Sequence, residues 1–343
     1  MIDYISVNSK ICAMLDENIF KKEDFDILLG YTNRQDFIQF LAARQRFKTI
    51  FEKENFAGLT IQRFEILSVS YIISIYNSLK NYFFNNSKLY NFFKIYFLKY
   101  EIKNIKIIIN CIIGKIHPEK IREQLYNLKG CSSLNFNSLL TSVDIAALIE
   151  SFQNTIYGKT LSDALIIYEK TKCTLPFENA LDYLYWHTLF KAASGMSVYD
   201  SKIILDILSK RLDYINISMI FRTKFHFLLS IEEIKLRKLS FTNYKSSIDL
   251  NELLNADDKT VFFEKLKNSC YSYMAGDPLE FEKKFNRRMI ELFSEFKKKT
   301  RLNAGLLFLF FIRVEFEQKN LSSVFEKFEF KVSAQELKKL LIF

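Results

Sequence analysis

The sequence is poor in backbone punctuation, with only 8 Gly and 3 Pro in 343 residues. Beside long Leu/Ile/Phe/Lys periodicities, that scarcity argues against a turn-rich architecture and for a chain that is mostly helix. No apolar run approaches the ~18–20 residues that span a bilayer. The longest, Ala304 to Ile312, is about half that length and reads as a buried core helix. The opening M-I-D-Y-I-S-V-N-S-K has no signal-peptide architecture. Cysteines are few, scattered and odd in number (Cys12, Cys111, Cys131, Cys173, Cys270). They fit reduced thiols in a cytosolic protein better than a disulfide framework. His117, His187 and His226 show no ligand spacing, so no metal site is expected. His187, beside Trp186, is read as a core or groove histidine.

What is present is apolar mass and positive charge. A hydrophobic content of 49% supports a substantial core, and length alone suggests two or three domains. The richness in Ile, Lys, Asn, Phe and Tyr carries little weight, because a genome-wide bias produces the same composition. The net charge of +10 favours an acidic partner: nucleic acid, an anionic membrane surface or an acidic protein face. The densest basic cluster, Lys297-Lys298-Lys299-Thr300-Arg301 with Arg287-Arg288 nearby, reads as a solvated helix face and its turn.

The informative feature is a pattern that occurs three times. Tyr100 to Ile109 reads Y-E-I-K-N-I-K-I-I-I, Leu212 to Lys224 reads L-D-Y-I-N-I-S-M-I-F-R-T-K, and Phe316 to Phe325 reads F-E-Q-K-N-L-S-S-V-F. An acid (Glu101, Asp213, Glu317) stands three residues before an Asn (Asn104, Asn216, Asn320) in each. On a helix the two share a face. Large apolar residues lie four before and four after every Asn (Tyr100/Ile108, Leu212/Ile220, Phe316/Val324), which puts the amide inside the apolar stripe. An amide so placed needs partners, since a buried unsatisfied polar group costs roughly 1–3 kcal/mol. We therefore expect each Asn to be buried and bonded to the backbone of an adjacent helix end or loop within the same module. The acids are expected nearer the edge of the stripe, within reach of solvent or a cation.

Two further matches keep the same order. Phe25, Asp26, Leu28, Leu29 and Asn33 align with Phe136, Asn137, Leu139, Leu140 and Asp144, and with Leu250, Asn251, Leu253, Leu254 and Asp258. The pattern reads as a short helix, a turn, and an Asx cap or first-turn acid opening the next helix. That next helix carries Phe37-Ile38, Leu148-Ile149 and Phe262-Phe263 at equivalent places. A Phe-Glu pair follows in each copy: Phe64-Glu65, Phe177-Glu178 and Phe281-Glu282. Glu65 stands 39 residues before Asn104, Glu178 stands 38 before Asn216, and Glu282 stands 38 before Asn320. The chain thus divides into three helical modules, 1–117, 118–232 and 233–343, each of roughly 105–115 residues. Pro118, Pro176 and Pro278 mark helix boundaries. Linkers fall near His117 to Leu134 and Leu229 to Ser247, neither long enough for a flexible tether, so the modules are expected to pack on one another.

Catalytic motifs do not stand up. Gly158-Lys159-Thr160 has the tail of a phosphate-binding loop, but Gln153 occupies the place of its first Gly and no strand precedes it. Gly195-Met196-Ser197-Val198-Tyr199 resembles a nucleophile elbow ending in Tyr instead of Gly. Glu65, Glu178 and Glu282 are conceivable catalytic carboxylates. Their triplication favours structural joints at helix starts, since active sites are rarely repeated. Arg222, six residues after Asn216, has Asn110 and Glu326 as its counterparts, so this unrepeated Arg is a candidate partner contact.

Taken together, the ordered triplicate resembles the C subunit of the A-type/V-type rotary ATPases, called the d subunit in the eukaryotic pump. In that family each of three pseudo-symmetric helical domains carries a D/E-x-x-N-hydrophobic helix, typically preceded by an aromatic-rich helix with F-E or I-E. The matching stretches are Tyr96 to Lys106, Leu175 to Trp186, Leu212 to Lys224 and Phe311 to Leu321, with Tyr4 to Ile11 similar to the family's opening. Lys10 stands where an Arg is common. The connector L-S-F-T-N-Y-K-S-S-I-D-L lacks a Gly often found there, and no Arg follows the first and third Asn as Arg222 follows the second.

The resemblance implies an all-α fold of three pseudo-threefold-related modules forming a funnel with a central hollow. It implies a non-catalytic subunit without cofactor, on the cytoplasmic face of the membrane. Such a subunit holds the foot of the central shaft (D- and F-type subunits), sits on the membrane rotor ring, and couples shaft rotation to ion transport. The rival reading is a basic all-helical scaffold that binds nucleic acid or another acidic partner. A third, an enzyme on an unfamiliar helical fold, lacks any convergent set of acid, base or ligand residues.

Overall fold

The computed structural model describes residues 4–51, 54, 58–128, 130–299, 303–330 and 332–342. Among them the chain forms eighteen α-helices and no strand, so the fold is all-α. Chain contacts group it into two compact units. One contains Asp26–Ala192 with Val324–Val332; the other contains Asp3–Phe25, Ala193–Ser323 and Ser333–Phe343.

The helices follow the repeated motifs. After α1 (Tyr4–Asn18), α2 (Lys22–Gly30) leads into α3 (Arg34–Ala43) and α4 (Gln45–Phe51). Next come α5 (Ile61–Leu79), α6 (Ser87–Ile113) and α7 (Pro118–Arg122). The second series is α8 (Phe136–Leu140), α9 (Ile145–Glu150), α10 (Gly158–Thr171), α11 (Leu175–Ser194), α12 (Val198–Phe225) and α13 (Ile231–Arg237). The third is α14 (Leu250–Leu254), α15 (Lys259–Lys267), α16 (Phe281–Lys299), α17 (Ala304–Phe330) and α18 (Ala334–Leu340). Asn33, Asp144 and Asp258 cap α3, α9 and α15, each side chain accepting from the N–H three residues on. The Leu-Leu pairs before these caps are buried. Pro118 opens α7, Pro176 lies in the first turn of α11, and Pro278 opens a 3₁₀ turn.

Three long helices dominate: α6 has 27 residues, α12 has 28 and α17 has 27. Most of the stability of such helices comes from tertiary packing of their apolar faces. In the first unit Phe64 of α5 stacks on Phe325 of α17, with centroids 4.6 Å apart and rings 3° from parallel. Phe37 packs on both rings and Phe51 on Phe64. The end of α17 also holds backbone groups that helices leave unpaired. Lys327 Nζ donates to the carbonyls of Leu29 and Tyr31, at 2.5 and 2.7 Å, and Glu329 accepts from the Ile61 N–H at 3.0 Å.

In the second unit Phe221 of α12 meets Phe262, Phe263 and Phe281 at 5.4–5.6 Å. Asp200 joins three helix starts there: it accepts from Tyr4 Oη and from the Ala304 N–H, each at 2.9 Å, and from Ser197 at the head of α12. Gly305 sits where α17 approaches α12. A Cβ there would lie 2.6 Å from Ile203 Cγ2, so the close contact needs a residue without one. Ala304 to Ile312 is buried throughout, and no described helix is long and apolar enough to cross a membrane.

Candidate functional site: three acid–asparagine pairs

Each repeated Asn makes the same two hydrogen bonds. Asn104 Nδ2 donates to the Tyr126 carbonyl at 2.9 Å while its Oδ1 accepts from the Tyr126 N–H at 2.8 Å. Asn216 treats Leu239 in the same way at 2.9 and 3.0 Å, and Asn320 treats Ile342 at 2.7 and 2.9 Å. All three Asn side chains are buried. Each partner residue lies 22 or 23 positions downstream, just beyond the short helix that follows the long one. For Asn104 and Asn216 it therefore falls in the next module (118–232 and 233–343) and not in the same one as expected; only Asn320 finds its partner within its own. After α13 and α18 the backbone is extended at Lys238 and Leu341, so the next residue's N–H and C=O have no helical partner. A side-chain amide carries a donor and an acceptor in one plane, as a peptide group does. It therefore pairs with that residue as a neighbouring strand would. Asp could not donate, and Leu could do neither.

The acids depart from expectation. They do not lie at the edge of the stripe: Glu101 is 6% exposed, Asp213 0% and Glu317 3%. The correction has a physical cause, since each carboxylate is met by donors from another part of the chain. Tyr157 Oη donates to Glu101 at 2.6 Å. Asp213 accepts from Tyr271 Oη at 2.5 Å, Ser246 Oγ at 2.6 Å, the Ser247 N–H at 3.0 Å and Tyr244 Oη. The Phe20 N–H donates to Glu317 at 2.5 Å. Burying a carboxylate is tolerable when such charge-assisted bonds replace water. In sequence terms, residue 101 takes its donor from 118–232, residue 213 from 233–343, and residue 317 from 1–117.

The tyrosines record the same environment. Burial first, and then the neighbouring carboxylate, raise the Tyr157, Tyr271 and Tyr244 hydroxyls far above their usual range. All three stay protonated and able to donate. Tyr157 and Tyr271 occupy equivalent places in the repeat, 114 residues apart like Asp144 and Asp258. Sequence reading missed them, although that spacing was the available signal. It also missed Asp200, whose partners lie 196 and 104 residues away.

The Phe-Glu pairs sit near helix starts, in α5, α11 and α16. Phe64, Phe177 and Phe281 are buried, whereas Glu65 and Glu178 are half-buried and Glu282 is exposed. Glu65 adds to burial in pushing Tyr126 up to about 12, and Glu282 acts likewise on Tyr214, also about 12. Glu282 pairs with Lys319 across the α16–α17 contact. Arg222 is exposed, its Nε donating weakly to the Ser218 carbonyl at 3.4 Å. His187 is also exposed, stacked on Tyr183 with centroids 6.0 Å apart, which corrects its reading as a core histidine. In the basic cluster Lys297 is exposed and Thr300 and Arg301 lie outside the described residues. Nearby Arg288 bonds Glu291 at 2.9 Å.

The apparent catalytic motifs resolve into local structure. A Cβ on Gly158 would lie 2.6 Å from the Gln153 carbonyl, so that glycine serves a tight turn. Ser197 caps α12, accepting from the Asp200 N–H and donating to the Asp200 carboxylate.

The model of the ATP synthase (C/AC39) subunit family matches residues 7–340. The protein named as the C subunit of the A-type ATP synthase of Methanosphaera stadtmanae is 25% identical over 179 residues, covering 52% of this chain and 46% of its own. Its namesake in Methanocaldococcus jannaschii is 22% identical over 260 residues, covering 73% and 64%. One from Halorubrum lacusprofundi is 28% identical over 105 residues, covering 31% and 30%. The chain thus matches less than two thirds of the length of each of these relatives. A nucleic-acid-binding scaffold finds no support among them.

Proposed function

Since the chain belongs to the ATP synthase (C/AC39) subunit family, we propose that it is the non-catalytic central-stalk subunit of a rotary A/V-type ATPase. In this reading it couples the central shaft to the membrane rotor ring and has no cofactor. Its partners are the D- and F-type shaft subunits and the ring, and its place is the cytoplasmic face of the membrane. The observation that carries the reading is the order of the buried acid contacts. Each carboxylate is bonded by the module that follows, and the third by the first. This order of contacts supports reading modules 1–117, 118–232 and 233–343 as a pseudo-threefold funnel around a hollow, the arrangement we infer.

Such a closed arrangement suits torque. A socket that transmits rotation must resist shear between its wedges, and densely packed helices joined by buried hydrogen bonds yield little. Asn104 and Asn216 tie their long helices to residues 126 and 239, just past the module boundaries, and Asn320 ties its helix to residue 342 of its own module. Each acid is bonded from the next module in the order. Glu65, Glu178 and Glu282 support the starts of the helices beside them. Exposed Arg222 is the residue proposed to touch a partner. The test is reconstitution: the purified chain shows no ATP hydrolysis, yet co-elutes with the shaft subunits and binds the isolated ring. Hydrolysis by the pure chain, or its absence from the assembled complex, overturns the reading.

A further inference from the structure

The turn that ends α12 places apolar side chains where folding gains nothing from them. Phe227 is 69% exposed and Leu228 81%, and Leu236, on the short α13 that leaves this turn, is 85% exposed. Leu228 also adopts φ 52°, the left-handed conformation that a side chain disfavours. The turn is closed by the Leu229 N–H donating to the Thr223 carbonyl at 3.0 Å. Among the described residues two other non-glycines have positive φ, Lys115 and Lys172, and both present a solvated ammonium group. Leu228 alone combines the strained backbone with an exposed apolar side chain. Glycine would satisfy the turn better and expose nothing.

The charges around the turn bear on what could cover it. Arg222, His226 and Lys235 are exposed, with Arg237 half-exposed beside Leu236. Glu232 and Glu233 lie in the first turn of α13, where Glu233 is held in a capping box with Ser230. Protruding Phe and Leu side chains with a basic collar match the boundary of an anionic bilayer, where apolar groups enter the acyl region and cations meet lipid phosphates. We propose that the Phe227–Leu228 turn and Leu236 form an interfacial contact with an anionic membrane surface, Lys235 and Arg237 pairing with headgroup phosphates.

Co-sedimentation of the full chain with vesicles tests this. Phosphatidylcholine vesicles containing phosphatidylserine should bind the chain, with affinity falling as salt rises, and pure phosphatidylcholine should bind it more weakly. The double variant Leu228→Ser/Leu236→Ser should lose about tenfold or more in partitioning. Lys235→Gln with Arg237→Gln should weaken binding to the anionic vesicles only. Leu228→Gly separates the contact from folding, because it should leave the melting temperature unchanged or raised while binding falls. Failure of the unaltered chain to bind anionic vesicles overturns the proposal. So does Leu228→Gly or the double Ser variant binding as well as the unaltered chain, which would leave only adhesion of a cationic protein. The vesicles contain no rotor protein, so neither result bears on the rotary-ATPase reading.

Discussion

The pair on α6 and the pair on α12 share one half of their chemistry and differ in the other. Asn104 and Asn216 hold a downstream residue by the same two bonds at the same lengths, within 0.2 Å. Their acids do not match. Asp213 is enclosed by two tyrosines, a serine hydroxyl and a backbone N–H. Glu101 takes Tyr157 and also borders a cleft of about 370 Å³ lined by Asn91, Lys94, Asn154 and Thr188. A backbone group presents one geometry to its partner wherever it occurs, so the Asn solution can be copied unchanged. A carboxylate is satisfied by whatever donors the facing surface offers, so that half drifts between copies.

The largest effect should come from removing the enclosed acid. Asp213→Ala strands two tyrosine hydroxyls, a serine and an N–H in the interior, and should cost about 3–5 kcal/mol in urea unfolding. Glu101→Ala should cost only about 1 kcal/mol, because water from the adjoining cleft can take the place of the carboxylate. Equal losses at the two sites would show that enclosure does not set the cost.

Next come the asparagines, where the three copies should behave alike. Asn104→Leu, Asn216→Leu and Asn320→Leu each leave one N–H and one C=O without partners, at roughly 1–3 kcal/mol. Differential scanning calorimetry on the three variants checks this. Unchanged or increased stability in any one of them would break the equivalence on which the comparison rests.

The smallest single-group effect is in pH dependence. Tyr157, Tyr244 and Tyr271 have folded-state values raised above their ordinary value of 10.0. Their stabilisation is therefore complete below pH 10 and is lost as pH rises beyond it, because only the unfolded chain then releases those protons. Each contributes a slope of up to about 1.4 kcal/mol per pH unit. Cys131, pushed up to about 11 by burial, adds to the fall from its ordinary value of 9.0. Urea midpoints measured from pH 8 to 11 should stay flat and then decline. Tyr271→Phe should shallow that decline, and a decline of unchanged steepness would assign it to other groups.

Sequence alone determined the helical class, the three Asx-capped helix starts and the buried Asn residues. All of these depend on spacing along one helix or across one turn, where the 3.6-residue period converts sequence distance into geometry. Family resemblance rested on the same spacings. Tertiary structure decided where each Asn finds its backbone partner and why the acids are buried. An acid three residues from an Asn can face solvent or a donor equally well, and only the opposing surface selects. The Glu317–Phe20 and Asp200–Tyr4 bonds join residues 297 and 196 positions apart. No local period encodes contacts over such distances; they exist because packing brings those surfaces together.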